Sequence, residues 1–329
     1  MTAPDIETAA STAPGPSRRI EGIGPVLFFL LLTAGFSLAE PQYFPTWENL
    51  VTILNDGALL AILACGLTVV LIVGEFDLSV AAVASFAGAL ATVLVTKQDW
   101  PVPAALLAVL VAAVVVGIFN GVLVAVLQIP ALVATIGSAS LLDGLSLWVT
   151  GNSVIFEGFT DAFLWYGNWR IFDLQAAVWY LFILAVLLGG MLRYTATGRH
   201  FHAIGSNRAA SRMAGIKVQR QIILAFVICA VLASFCGFAY TSRQGSLTPL
   251  FGSSMMLPAF AAVFLGYVTL AHRRFHILGT VIGVYIIGTG TLGLLLIGAP
   301  AYSQQLFAGL VLIVATGGAR LRHLLSRKG

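Results

Sequence analysis

Apolar residues run through this chain in long blocks, broken at few places by short polar segments. The blocks do not alternate as half-buried strands do, and they reach or approach the ~20 residues that a membrane-spanning helix needs. Ala104–Phe119 and Ile222–Ala233 show it most plainly. A transmembrane barrel would show alternating segments of about 10 residues. The pattern predicts an all-α, polytopic membrane protein with spans at 24–40, 51–73, 78–96, 103–127, 131–150, 176–192, 221–241, 257–271, 276–297 and 302–319. Lipid cannot satisfy backbone polar groups, so each span must satisfy its own as helix.

Composition strengthens this reading. Hydrophobic residues make up 59% of the 329 positions and charged residues 9%. A soluble chain of this length needs more charge to cover its surface. The pI near 9.1 invites a nucleic-acid partner. However, the basic residues sit in loops beside apolar blocks, which argues for no nucleic-acid role. Cys65, Cys229 and Cys236 all fall inside apolar blocks, as packing residues do.

Charge also orients the chain. With the N-terminus inside, the cytoplasmic side holds Arg18 and Arg19, six basic residues in 193–220, Arg273 and Arg274, and four in the C-terminal tail. That is fourteen inside against three outside, Lys97, Arg170 and Arg243. This asymmetry favours ten spans with both ends cytoplasmic. Residues 1–23 then form a leader, disordered over 1–17, and 320–329 form a basic tail. Arg18-Arg19, an apolar run and Ser37-Leu38-Ala39 also resemble a signal peptide. The long polar leader and long apolar run favour a retained first span.

The polar interruptions hold the candidate chemistry. No phosphate-binding P-loop is present, because Lys97, Lys217 and Lys328 all lack a preceding glycine. Any ATP would be bound by another chain. The basic island 193–220 has no acid. In it, Ser206 or Asn207 can cap a helix, Arg208–Ala214 favour helix, and Gly215 suits a C-terminal stop. The island is therefore either a solvated loop that fixes topology or a docking helix for a cytoplasmic partner. Gly74-Glu-Phe-Asp-Leu-Ser-Val80 breaks an apolar stretch. Glu75 is expected as a solvated acid at the interface. Asp77 and Ser79 are expected to cap the third span, with solute contact as the alternative. Asn120 in the fourth span, and Thr135, Ser138, Ser140 and Asp143 in the fifth, form a polar set. The hydroxyls favour helix packing, and Asp143 a functional place. Gly279 and Gly283 make a Gly-x-x-x-Gly pair that allows close helix contact.

In this order, the motifs resemble the permease subunits of bacterial ribose-type ABC importers, over about Asn49–Leu321. Gly74-Glu-Phe-Asp-Leu-Ser-Val80 is similar to that family's Gly-Gly-Ile-Asp-Leu-Ser-Val. Asn120-Gly-Val-Leu-Val124, Ile129-Pro130, Ala134-Thr-Ile-Gly137 and Thr150-Gly151 follow in the same sequence. Thr197-Gly-Arg-His, Ala203-Ile-Gly-Ser-Asn207, Ala209-Ala210 and Ala214-Gly-Ile216 match its cytoplasmic loop. The resemblance implies a permease dimer, homomeric or heteromeric, in the bacterial cytoplasmic membrane. It also implies ATPase subunits that bind ATP and magnesium, and an extracytoplasmic solute-binding protein. This chain itself would carry no cofactor, no metal and no catalytic residue. Gly205, Asn207, Arg208, Ala210, Arg212 and Gly215 would form the ATPase-coupling loop. Asp77, Ser79, Asn120, Thr135 and Asp143 are candidates for the solute pathway or for structural polar contacts.

The chain departs from the family pattern at Glu75, in place of glycine, and at Asp143, in place of a common arginine. A third departure is Gly266-Tyr-Val-Thr-Leu-Ala-His-Arg-Arg-Phe-His276, in place of a glycine-rich stretch. These bear on the solute, the pairing and the ATPase contact. The expected function is inward movement of a monosaccharide or similar polyol by alternating access. Alternatives are a sugar-derived signal, a nucleoside or a branched-chain amino acid. An ATP-independent carrier coupled through Asp143 is a different class. The spans show no Ser/His, Asp/Asp or His/Glu set for an intramembrane enzyme.

Overall fold

A computed structural model describes residues 23–269 and 274–325. The expected leader, apart from Ile23, lies outside the described residues. So do residues 326–329 of the tail and 270–273 of the divergent segment.

The described chain is helical almost throughout. Its elements are α1 (Ile23–Ala39), α2 (Trp47–Ile72), α3 (Val80–Thr96), α4 (Val102–Ala125), α5 (Ala131–Thr150), α6 (Asp161–Asn168), β1 (Arg170–Ile171), β2 (Leu174–Gln175), α7 (Ala176–Tyr194), α8 (Ala196–Ser206), α9 (Arg208–Met213), α10 (Val218–Gln244), α11 (Ser253–Thr269), α12 (Ile277–Leu296) and α13 (Tyr302–Leu325). Among the described residues, α2, α4, α5, α7, α10 and α12 are long and apolar enough to cross a membrane. Shorter apolar helices lie at Val26–Ala39, Val80–Thr96, Ser253–Thr269 and Tyr302–Gly317. Each expected span therefore falls on an apolar helix. Some ends differ: α2 begins at Trp47 because Thr46 caps it, accepting the Asn49 amide at 3.2 Å.

Two helices form the centre. In α2, residues from Ala58 to Ile72 are almost all buried. α10 packs on α2, α3 and α4, and small residues set its approach. A Cβ on Gly117 would stand 2.5 Å from the Val227 Cα, and one on Gly121 2.6 Å from the Ile223 Cα. The glycines of α4 therefore let its backbone meet that of α10 directly. Gly279 and Gly283 do the same for α12, bringing it against Gly266 and Ala262 of α11. The three cysteines are buried and free, as packing residues.

The outer faces of α4, α5, α7 and α13 carry exposed Leu107, Val115, Ile136, Phe182, Leu187 and Ile313. A patch this extensive suits lipid rather than water.

The region 151–175 has structure that apolar periodicity does not reveal. Thr160 caps α6 by accepting the Phe163 amide. Phe163 is fully buried, edge-on to Phe238 of α10 at 5.3 Å. β1 and β2 pair through Ile171 and Leu174. Phe172 and Asp173 between them both have positive φ, at 53° and 64°. Two such central residues make the turn that matches strand twist, although Phe-Asp is not its usual sequence.

Candidate functional site

The polar segments expected to carry function lie at one end of α2 and α10. α2 ends in a glycine-stopped turn. Gly74 has φ of 84°, its amide bonds to the Leu71 carbonyl, and the Glu75 amide reaches back to Val70. This pattern satisfies the last carbonyls of α2 and turns the chain sharply away. The next residues run without regular structure to α3.

Within them, Asp77 is buried. Its Oδ1 accepts the Ser79 amide at 2.8 Å and the Ser79 hydroxyl at 2.6 Å. The contact to an amide two residues on is an Asx turn. It corrects the expected cap: the Ser79 side chain makes no bond to the first turn of α3. Instead the Ser79 hydroxyl accepts from Asn120 Nδ2 of α4 at 2.8 Å. The Leu78 amide donates to Thr135 Oγ1 of α5 at 3.1 Å. Cys229 of α10 is buried close to Asp77. Asp77, Ser79, Asn120 and Thr135 are all buried, so the segment is pinned to two helices, α4 and α5. Four of the five expected pathway residues thus form one network in the packed interior.

Asp143 does not join them. It is half-buried on α5, and its Oδ1 is shielded without a hydrogen-bond partner. The neighbouring face of α5 is open at Gly137, Ser140, Leu141 and Gly144.

The island forms two helices. Thr195 caps α8 by accepting the Gly198 amide at 3.3 Å, and Phe201 and Ile204 anchor it inward. Their three-residue spacing marks a helical face, here set among basic residues. Asn207, not Ser206, caps α9: its Oδ1 accepts the Ala210 amide at 3.0 Å. At the other end Gly215 has φ of 81°. Its amide bonds to the Arg212 carbonyl, and the Ile216 amide bonds to Ser211. That is the same glycine stop as on α2, and it confirms the expected short helix. Only Ser211 of α9 is buried, and Met213 is 90% exposed.

Gly205 packs closely against α2. A Cβ there would collide with the Ile72 carbonyl, so its bareness lets α8 touch the end of α2. The expectation of a solvated Glu75 is also corrected. Glu75 is buried and its Oε1 lies 2.5 Å from Arg208 Nη2 of α9. An acid beside apolar helix ends needs such a partner. A cleft of about 350 Å³ lies beside the pair, bounded by Val124, Gln128, Arg212 and Gln219. Burial pushes the His202 imidazole of α8 below its usual pKa, and the charge of Arg274 adds to the shift. The described part of the divergent loop therefore stands near the island.

Comparisons with known proteins place the chain in a family. The sequence profile described as branched-chain amino acid transport system / permease component matches residues 49–316. The ribose import permease protein RbsC of Escherichia coli (strain K12) is 34% identical over 293 residues, covering 88% of this chain and 91% of its own. The corresponding Haemophilus influenzae protein is 31% identical over 87% of this chain and 89% of its own. The autoinducer 2 import system permease protein LsrC of Salmonella choleraesuis is 32% identical over 88% of this chain and 82% of its own.

The chain belongs to this permease family.

Sequence reasoning missed two members of the site, Glu75 and Cys229. For Glu75 the signal was its charge within an apolar stretch. For Cys229 there was none, because burial beside Asp77 is set by helix packing.

Proposed function

We propose that this permease is the translocation subunit of an ABC importer in the bacterial cytoplasmic membrane. It would move a monosaccharide or similar polyol inward by alternating access across ten spans, with both ends cytoplasmic. Partner ATPase subunits bind ATP and magnesium, a second permease subunit completes the pathway, and an extracytoplasmic binding protein delivers solute. The observation that carries this reading is α9. A six-residue helix is marginal alone, yet this one is capped at both ends and exposes Arg212 and Met213. A short, stiff, basic projection with an apolar tip suits a groove in a partner protein. The open face of α5, with Gly137, Ser140 and Asp143, supports a polar pathway there.

Two solute classes have support. The relatives named for ribose and for autoinducer 2 stand at 34% and 32% identity, so similarity does not separate a sugar from a sugar-derived signal. Reconstitution in proteoliposomes with its partner ATPase and binding protein tests the reading. ATP-dependent accumulation of ribose or autoinducer 2 is expected. Accumulation without ATP or the ATPase would replace the importer with a secondary carrier.

A further inference from the structure

The pair between Glu75 and Arg208 joins residues 133 apart in sequence, and it lies at one end of a pinned segment. Two residues beyond Glu75, Asp77 is held by Ser79, Ser79 by Asn120, and Leu78 by Thr135. Two residues span at most about 7 Å, so there is little slack between Arg208 and α4 or α5. On the other side, α9 projects from the bundle with one buried residue. The cleft beside Glu75 and Arg208 leaves α9 room to move against the ends of α4 and α10.

We propose that Glu75 is a positioning residue for transport: its ion pair with Arg208 couples the displacement of α9 to segment 74–79, and through Asn120 and Thr135 to α4 and α5. This role rests on the reading of α9 as the helix that meets the ATPase. Contiguous side-chain contacts with little slack can carry such coupling between sites. The pair is poorly suited to be a mere staple. The Arg208 side chain is 45% exposed, and a half-exposed ion pair contributes little to stability. Removing the Glu75 charge leaves an arginine that water can solvate. Removing Arg208 leaves a buried carboxylate unpaired, which is far more costly. Glu75→Gln is therefore the clean variant.

The test uses the full complex with its ATPase and binding protein in proteoliposomes. A cysteine introduced at Ser140 on the open face of α5 reports on the bundle through maleimide labelling, with and without ATP–vanadate. The three native cysteines are buried and add little background. In the otherwise wild-type complex, labelling should change with nucleotide. In E75Q this change should shrink about threefold or more, with the ATPase rate and melting temperature retained. With ribose as probe, ATP hydrolysed per ribose moved should rise by a similar factor. The charge-reversed pair E75R/R208E should recover the nucleotide response relative to E75R alone. A wild-type response with an unchanged E75Q response overturns this role and leaves the importer reading standing. The same holds for a reversed pair no better than E75R. A wild-type complex whose labelling ignores nucleotide overturns both.

Discussion

Asn120 Nδ2 donates to the Ser79 hydroxyl at 2.8 Å, linking the middle of the chain to the turn that leaves α2. Both residues are buried. Replacing Asn120 with Leu removes the donor and leaves Ser79 and Asp77 to share fewer partners. The loss should be about 1–3 kcal/mol, read as a lower Tm in detergent. Ser79→Ala should act in the same direction, and the double variant should lose less than the sum, because both share one network. Additive losses would mean the contact does not matter.

Gly117 and Gly137 offer a matched pair of glycine substitutions. A Cβ on Gly117 meets the α10 backbone, whereas Gly137 has nothing within 4 Å. Gly117→Ala should destabilise by about 1–3 kcal/mol through overpacking. Gly137→Ala should leave Tm unchanged or raise it slightly, since alanine favours helix. Equal melting temperatures for the two variants would contradict the close approach of α4 to α10.

The caps of α9 can be removed without touching the bundle. Asn207→Ala loses the bond to the Ala210 amide, about 1 kcal/mol of local helix stability. Gly215→Val forces a β-branched residue to a φ of 81°. Arg212→Glu reverses an exposed charge. In the reconstituted importer all three should lower transport while membrane insertion and Tm stay near wild type. Normal uptake by these variants would remove α9 from the ATPase interface.

Asp143 has no hydrogen-bond partner for its shielded oxygen, so Asp143→Asn should not lower Tm. If its carboxylate meets the solute, losing that bond should raise the KM for uptake about tenfold, with little change in basal ATPase rate. An unchanged KM would mark Asp143 as a bystander on α5.

His202 gives α8 an acid sensitivity. Burial and then the Arg274 charge lower its pKa below the usual 6.5. At pH below 6.5 the unfolded chain takes up a proton that the folded chain resists. The stability conferred by the neutral imidazole is thus present above that value and is lost as pH falls toward the folded-state pKa. His202→Gln should lose less Tm than wild type when pH is lowered from about 7.5 to about 5.5. Parallel curves would refute the assignment.

The sequence by itself determined the membrane class, the apolar helices and α9. Those features depend on local chemistry: run length, a capping Asn207 and a stopping Gly215. Tertiary structure alone decided which polar residues meet. Glu75 read as solvated because an isolated acid near a helix end usually is, and only the approach of α8 to Ile72 brings Arg208 to it. Asp77 and Ser79 read as a helix cap, yet packing of α4 and α5 turns them into a buried junction. The α6 and hairpin region was missed because Phe163 owes its burial to Phe238, 75 residues later in sequence, and no local period records that contact. Side-chain partners separated by tens to hundreds of residues depend on how helices pack, which hydrophobic patterning constrains only loosely.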